Sequence, residues 1–243
     1  MTTLSHVEAR RVYDRIGRKQ DSQAFYEDRA TSLVISHLHL ATAQAVFEFG
    51  CGTGRFAASL LADHLPQTAT YRAVDISPVM VALAKQRLAR FGSRAEVKLS
   101  DGGPPIYESS GSYDRFISNF VLDLLSLEDI AQVINEAHRI LRPDGLLGLS
   151  GLTTGFTVTS RAFAWLCAQI HAIRPSLVGG CRSLELWSLL PQHQWKIRHH
   201  ARLAPLCIPV EAVVAVRTWA PPRTRGGDQD ESDAQLRSPP AQG

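Results

Sequence analysis

The chain reads as an α/β protein built on a mostly parallel sheet, and three features of its 243 residues carry that reading. From Ala45 onward short apolar runs alternate with longer stretches of helical periodicity, the pattern of a parallel sheet covered by helices on both faces. A glycine-rich turn follows the first apolar run. The last two apolar runs are joined only by Ala-Pro-Leu-Cys-Ile-Pro, too short for a helical crossover, so they form an antiparallel hairpin.

Taken in order, the first forty residues carry Val12, Tyr13, Ile16, Phe25, Tyr26, Leu33 and Ile35 at partly helical spacing and form a helical cap over 1–44. Strands are expected at Ala45–Phe49, Tyr71–Asp75, Ala95–Leu99, Arg115–Ser118 and Leu146–Ser150. Between them, Gly54–His64 reads as a helix, and so does Pro78–Arg90, where Ser77 caps and Pro78 occupies the first turn. Ser126–Leu141 is a third helix, opened by a Ser-Leu-Glu-Asp cap and closed by the turn Arg142-Pro-Asp-Gly145. Helices at Ser160–Ile173 and Ser183–Leu190 flank a loop at Pro175–Gly180, and the span 160–180 reads as a lid-like insertion. The closing hairpin is Trp195–Leu203 with Val210–Thr218. One domain is expected over 1–220. Residues 221–243 are rich in Pro, Gly and charge, with too little apolar surface to offset ordering, and a disordered tail is expected there.

Composition excludes several classes. With 44% hydrophobic and 20% charged residues the chain is neither disordered nor coiled-coil, and 26 Lys+Arg against 23 Asp+Glu is far from the balance of a dedicated nucleic-acid binder. Cys51, Cys167, Cys181 and Cys207 form no C-x-x-C pair, which fits reduced thiols in a cytoplasmic protein. No signal peptide is expected at the N-terminus. The longest apolar stretch, Leu203–Val216, is broken by Pro205, Pro209 and Glu211, so no membrane span is expected. His37-x-His39 and His199-His200 have no evident carboxylate partner, and no metal is expected.

The informative segment is Val46-Phe-Glu-Phe-Gly50-Cys-Gly52-Thr-Gly54-Arg-Phe56, a strand running into glycines and then a helix. Glycines there permit positive φ and close approach of a ligand to the backbone, while the helix start offers free N–H groups. A dinucleotide fingerprint would need a third glycine where Arg55 stands, so a nicotinamide oxidoreductase is the weakest alternative.

Spaced G-x-G-x-G behind Glu48, the segment resembles motif I of the class I S-adenosylmethionine-dependent methyltransferases, and the resemblance continues from Phe47 to Ser150 in the family's order. It implies a Rossmann-like, doubly wound, seven-stranded sheet with S-adenosylmethionine as cofactor. It implies cofactor contacts from Glu48, Gly50, Cys51, Gly52 and Gly54. Asp75 falls where the family holds the two ribose hydroxyls, a task suited to a carboxylate's several acceptor sites, with Ile76 and Met80 beside it. Asp101 and Gly102 match the adenine position, and Asn119 and Phe120 the lining of the methionine moiety. Tyr13 and Tyr26 resemble the N-terminal aromatic residues that roof the cofactor or meet the acceptor, and His171 lies in the insertion that borders the acceptor.

Asp123, at the lip of the fourth strand, is the expected general base; the competing role is a helix-entry carboxylate making local hydrogen bonds. A small-molecule methyl acceptor is the expected partner. Nucleic-acid methylation is the alternative encouraged by Arg10, Arg11, Arg15, Arg18 and Lys19, but Ser118-Asn-Phe-Val121 lacks the Pro-Pro-aromatic run of amino-adenine methyltransferases. A non-catalytic cofactor-binding protein is the third reading, since a cofactor pocket does not by itself imply an acceptor pocket.

Overall fold

The computed structural model describes residues 3–173 and 179–218. The tail at 221–243 and part of the insertion at 160–180 lie outside the described residues. In chain order the elements are α1 (His6–Ile16), α2 (Ala24–His37), β1 (Ala45–Phe49), α3 (Arg55–Ser59), β2 (Thr70–Asp75), α4 (Pro78–Leu88), β3 (Ala95–Leu99), β4 (Tyr113–Asn119), α5 (Leu127–Ile140), β5 (Leu141–Leu152), α6 (Val158–Ile173), β6 (Trp195–Leu203) and β7 (Val210–Arg217). They build one seven-stranded sheet in the order β3-β2-β1-β4-β5-β7-β6. The first five strands pair in parallel, and β7 inserts antiparallel between β5 and β6. The expected Rossmann-like sheet with a closing hairpin is what forms.

Because side chains alternate across a strand, the central strands feed two apolar layers. Val46, Ile117 and Val214 face the layer under α2, α3 and α4, whereas Phe47, Phe116 and Val213 face the layer under α5. β7 is buried on both faces and accordingly reads as a nearly continuous apolar run. Ser77 caps α4 by accepting the Met80 amide at 3.1 Å, and Ser126 caps α5 through the Asp129 amide at 3.0 Å.

Three elements depart from the sequence expectation. β5 begins at Leu141 rather than Leu146, because Leu141 already pairs with Tyr113 before the ladder slips across the Arg142-Pro-Asp-Gly turn, where Asp144 takes a φ of 61°. The expected helix at Ser183–Leu190 is only a single 3₁₀ turn, Leu186–Leu189. Its first amide is taken by the buried Glu211 carboxylate at 2.7 Å, and Pro191 follows the turn at once. Beyond α3 the chain continues in a wider π-type turn over Leu60–His64.

The N-terminal cap is seated on the sheet by α2. Gly148 makes room for it: a Cβ at that position would lie 2.6 Å from Val34 Cγ1 and 2.9 Å from Leu38 Cδ1. At the end of α2 the buried Arg115 guanidinium, reaching up from β4, donates to the Leu38 and His39 carbonyls and to Thr42 Oγ1. Among the described residues no helix is long and apolar enough to cross a membrane.

Replacing Arg115 by Met keeps the apolar stem but leaves buried carbonyls without a donor, at about 1 to 3 kcal/mol each. We expect Arg115→Met to lower unfolding stability by roughly 2 to 4 kcal/mol in urea with little change in slope. A loss under about 0.5 kcal/mol, within the range of an ordinary surface change, would show that Arg115 does not hold α2 to the sheet.

Candidate functional site

The site lies at the carboxyl ends of β1, β2 and β4, where the strand order turns from β1 outward in both directions, the usual ligand position in an open parallel sheet. Gly50, Gly52 and Gly54 adopt φ of 81°, 51° and 74°. Each has its own reason. A Cβ on Gly50 would strike Val121 Cγ2 at 2.3 Å, a Cβ on Gly54 would meet Ala84 of α4 at 3.0 Å, and a Cβ on Gly52 would stand in open space on the crevice side. Gly54 therefore serves close helix packing, and Gly50 and Gly52 shape the wall.

Asp75 ends β2 and ties this loop down. Its Oδ2 accepts the Gly52 amide at 2.8 Å and its Oδ1 the Ser77 amide at 2.9 Å, joining the turn after β1 to the turn after β2. Each carboxylate oxygen has a second lone pair, so two acceptor sites remain on a group that lines the crevice. Burial pushes the carboxyl up, against the pull of the Ser77 and Gly52 amides.

The crevice has two adjoining hollows of about 80 and 310 Å³ that share Gln20, Gly50, Gly52, Asn119 and Phe120. The smaller adds Tyr13, Asp75, Ile76, Ser100 and Gly102; the larger adds Glu27, Glu48 and Cys51. Glu48 is fully buried, takes the Tyr71 hydroxyl hydrogen bond, and is pushed up to about 8 by burial, which Tyr71 and Asn119 oppose. Asn119 in turn accepts the Ser150 hydroxyl at 2.8 Å. Phe120 takes a φ of 54° and stacks edge-on against Tyr26 at 5.7 Å between ring centres.

Three of the expected cofactor residues stand elsewhere. Met80 is fully buried in the first turn of α4, and Gly54 faces Ala84. Asp101 is exposed and borders a separate hollow with Lys98, Pro104 and Pro105. Its displacement has a steric cause: Gly102, at φ 94°, lies so close on Ile76 that a Cβ would come within 2.1 Å of Ile76 Cδ1, which throws the preceding residue outward. Ser100 and Gly102 hold the wall in its place.

Behind Phe120 sits a buried acidic and aromatic cluster. Asp123 is 1% exposed, and among the described residues neither carboxylate oxygen has a well-formed hydrogen bond. Burial pushes it up to about 7, only partly offset by Leu152, its own amide and the Arg182 guanidinium. Tyr13, with its hydroxyl on Cys181, and Tyr26 are both raised by burial and by the neighbouring Asp123. His171 lies away from the crevice, on the wall of a further cavity with Cys181 and Arg182.

Sequence reasoning missed Gln20, Glu27 and the strap that carries them. Glu27 is pushed up to about 7 by burial, moderated by Arg55, whose Nη2 lies 3.6 Å away and 2.7 Å from Asp28. The segment between α1 and α2 is bolted to the glycine turn: Thr53 donates to Asp21 at 2.5 Å, and Arg87 donates to both, at 2.7 Å each. Asp14 accepts the Ser77 hydroxyl at 2.6 Å. A polar residue every few positions on an amphipathic helix gives no signal that one of them turns inward.

His37 and His199 come together, but as parallel rings with centres 3.6 Å apart, so their nitrogens do not converge on one point. Among the described residues no group of three or more His, Cys, Asp or Glu is placed to hold a metal ion.

Comparison with known proteins agrees with this geometry. Residues 46–145 match the family model described as a methyltransferase domain. Ribosomal RNA small subunit methyltransferase C of Shewanella oneidensis is 37% identical over 107 residues, covering 43% of this chain and 30% of that protein. Carboxy-S-adenosyl-L-methionine synthase of Chromohalobacter salexigens is 31% identical over 140 residues, covering 57% and 50% respectively. The chain thus spans between about a third and a half of the length of these curated relatives. Among solved structures, the cyclase SpnF shares the fold with a TM-score of 0.67 at 14% identity, over 89% of this chain and 98% of that one. The glycine turn and the carboxylate ending β2 both fall within residues 46–145, the part of the chain that is similar to a methyltransferase domain.

Proposed function

We propose that the protein transfers the methyl group of S-adenosylmethionine to a small-molecule acceptor, with Asp123 as general base. The observation that carries this reading is the Asp123 carboxyl, sealed behind the crevice with both oxygens lacking a well-formed partner among the described residues. The competing role of helix-entry cap belongs to Ser126 instead, whose hydroxyl accepts the Asp129 amide at 3.0 Å.

The crevice fits the cofactor on the chemistry of its donors and acceptors. Asp75 offers its remaining acceptor sites to the vicinal ribose hydroxyls. Gly50, Cys51 and Gly52 form the open backbone against which the ligand lies, with Ile76 and Gly102 on the adenine side. Glu48 and Asn119 stand at the amino-acid end, and Tyr13 and Phe120 cover the middle. When bound, S-adenosylmethionine supplies a methyl carbon already activated by its sulfonium, so alignment and exclusion of water are the main tasks left to the protein. Tyr13 and Phe120 exclude water, Tyr26 packs edge-on against Phe120, and the strap pinned by Asp21 and Asp14 holds Tyr13 over the crevice. Asp123, poised near neutrality, takes the acceptor's proton.

The ribosomal RNA relative favours a second reading, a nucleic-acid acceptor. The electrostatics of the entrance speak against it. The larger hollow is rimmed by Asp21, Glu27 and Asp28, and the nearby Arg55 and Arg87 are already paired with them. Such a rim repels a polyphosphate backbone.

Four outcomes are expected. Asp75→Ala weakens S-adenosylhomocysteine binding by about 1 to 3 kcal/mol in calorimetry, because the ribose hydroxyls lose a charged acceptor; unchanged affinity would remove Asp75 from the site. With methyl-labelled S-adenosylmethionine and a cell extract, label enters the small-molecule fraction, and entry into RNA would overturn the acceptor class. The rate rises with pH through about 7 as Asp123 loses its proton. Asp123→Asn loses that limb and about 10²- to 10⁴-fold in rate; a variant that keeps the same limb would exclude Asp123 as the base.

A further inference from the structure

Four acids line the larger hollow of the crevice, and three of them are closely engaged. Asp21 takes Thr53 Oγ1 at 2.5 Å and Arg87 Nη2 at 2.7 Å, Asp28 holds Arg55 Nη2 at 2.7 Å, and Glu48 takes the Tyr71 hydroxyl. Glu27 differs. It is only 9% exposed, yet the contacts of its carboxylate among the described residues are long, Gln20 Nε2 at 3.4 Å to one oxygen and Arg55 Nη2 at 3.6 Å to the other. Gln20, which lines both hollows, directs its amide nitrogen to Gln23 and Glu27 and leaves a buried Oε1 with no partner among the described residues. The cap thus presents two acceptors with unused capacity to the hollow, and burying them without a close donor is costly.

That cost has a chemical direction. A buried carboxylate beside a free amide oxygen is best matched by a group with several N–H donors and a positive charge, an ammonium. Lining the same hollow are Glu48, Gly50 and Asn119, the residues placed at the amino-acid end of the cofactor. Glu27 belongs to α2, outside residues 46–145, so the matched domain does not reach it.

We infer that Glu27 is a specificity-determining residue of the cofactor site: its carboxylate, with Gln20 Oε1, receives the α-ammonium of the bound amino acid and selects ligands that carry one. The inference rests on the methyl-transfer reading above. A nucleoside without that ammonium leaves both acceptors of the cap buried and unmatched, so the cap reads the far end of the cofactor as well as roofing it. In the empty site burial pushes Glu27 up to about 7, lowered by Arg55 and raised further by Asp123, Asp28 and Asp21, with Glu48 and His64 lining the same hollow. An arriving ammonium favours the charged carboxylate, and below that pH its binding releases a proton.

The test is calorimetry on the full chain with S-adenosylhomocysteine, its desamino analogue, and 5′-methylthioadenosine, which lacks the amino-acid arm. Near pH 8 the native protein is expected to prefer S-adenosylhomocysteine to the desamino analogue by about ten- to a hundredfold, the worth of a hydrogen bond to a charged group. Glu27→Gln keeps the shape and removes the charge. It is expected to weaken S-adenosylhomocysteine by about tenfold near pH 8 while the other two ligands stay within about twofold. The loss shrinks toward pH 6, where the native carboxyl is mostly protonated already. Unchanged S-adenosylhomocysteine affinity in a folded Glu27→Gln protein, or equal losses for all three ligands, would overturn the assignment and leave the methyl-transfer reading standing. If that variant fails to fold, the native protein decides: its preference for the amino ligand over the desamino one rises between pH 6 and pH 8, and a flat preference would overturn the assignment. A native protein that binds none of the three ligands would overturn the methyl-transfer reading and the assignment together.

Discussion

The carboxylate of Asp75 is the tie on which the site depends. By accepting the amides of Gly52 and Ser77 it fixes two turns that the chain forms some twenty-five residues apart, and so sets the width of the crevice between β1 and β2. The backbone completes the tie: the Gly50 and Cys51 amides both point to the Val74 carbonyl, at 2.8 and 3.2 Å. A loop of glycines at positive φ would otherwise be among the most entropically costly segments to order. Here the ordering force is electrostatic and buried, where hydrogen bonds to a charged acceptor are at their strongest.

The N-terminal cap is built onto that tie rather than beside it. Asp14 bonds to Ser77, the residue whose amide Asp75 holds, and Asp21 bonds to Thr53, the neighbour of Gly52. Cofactor turn and cap are thereby coupled, so the residues that cover the crevice, Gln20 and Tyr13 among them, are positioned by the loops they cover. Three acids, Glu27, Glu48 and Asp123, are buried around this assembly and pushed into the neutral range by burial. Between the ordinary carboxylate range near 4 and the raised values of about 7 to 8 the unfolded chain gives up protons that the fold retains, so these groups lower stability progressively across that window and most above it. Stability surrendered in this way at one place in the fold is a mark of function.

Local patterning made the sheet legible. β1 and β3 fall at the residues their apolar runs suggest, and the caps Ser77 and Ser126 stand where short-range chemistry puts them. The glycine turn was equally legible because its φ angles exclude other residues. What local pattern does not carry is direction across the fold. The outward turn of Asp101 follows from Gly102 meeting Ile76, and the burial of Asp123 follows from Tyr13, Cys181 and Arg182, brought from both ends of the chain. Glu27 likewise faces the crevice only because Gly148 and Arg115 seat α2 where they do. The slip in β5 belongs to the same class, since it is decided by Tyr113 on the neighbouring strand.

A crystal structure with S-adenosylhomocysteine bound decides whether Asp75 holds the ribose. Both ribose hydroxyls are expected within hydrogen-bonding distance of the Asp75 carboxylate, with the sulfur on the Phe120 side facing the Asp123 cluster. A nucleoside bound elsewhere, or a carboxylate at 75 engaged only by its two backbone amides while the sugar lies free, would contradict it.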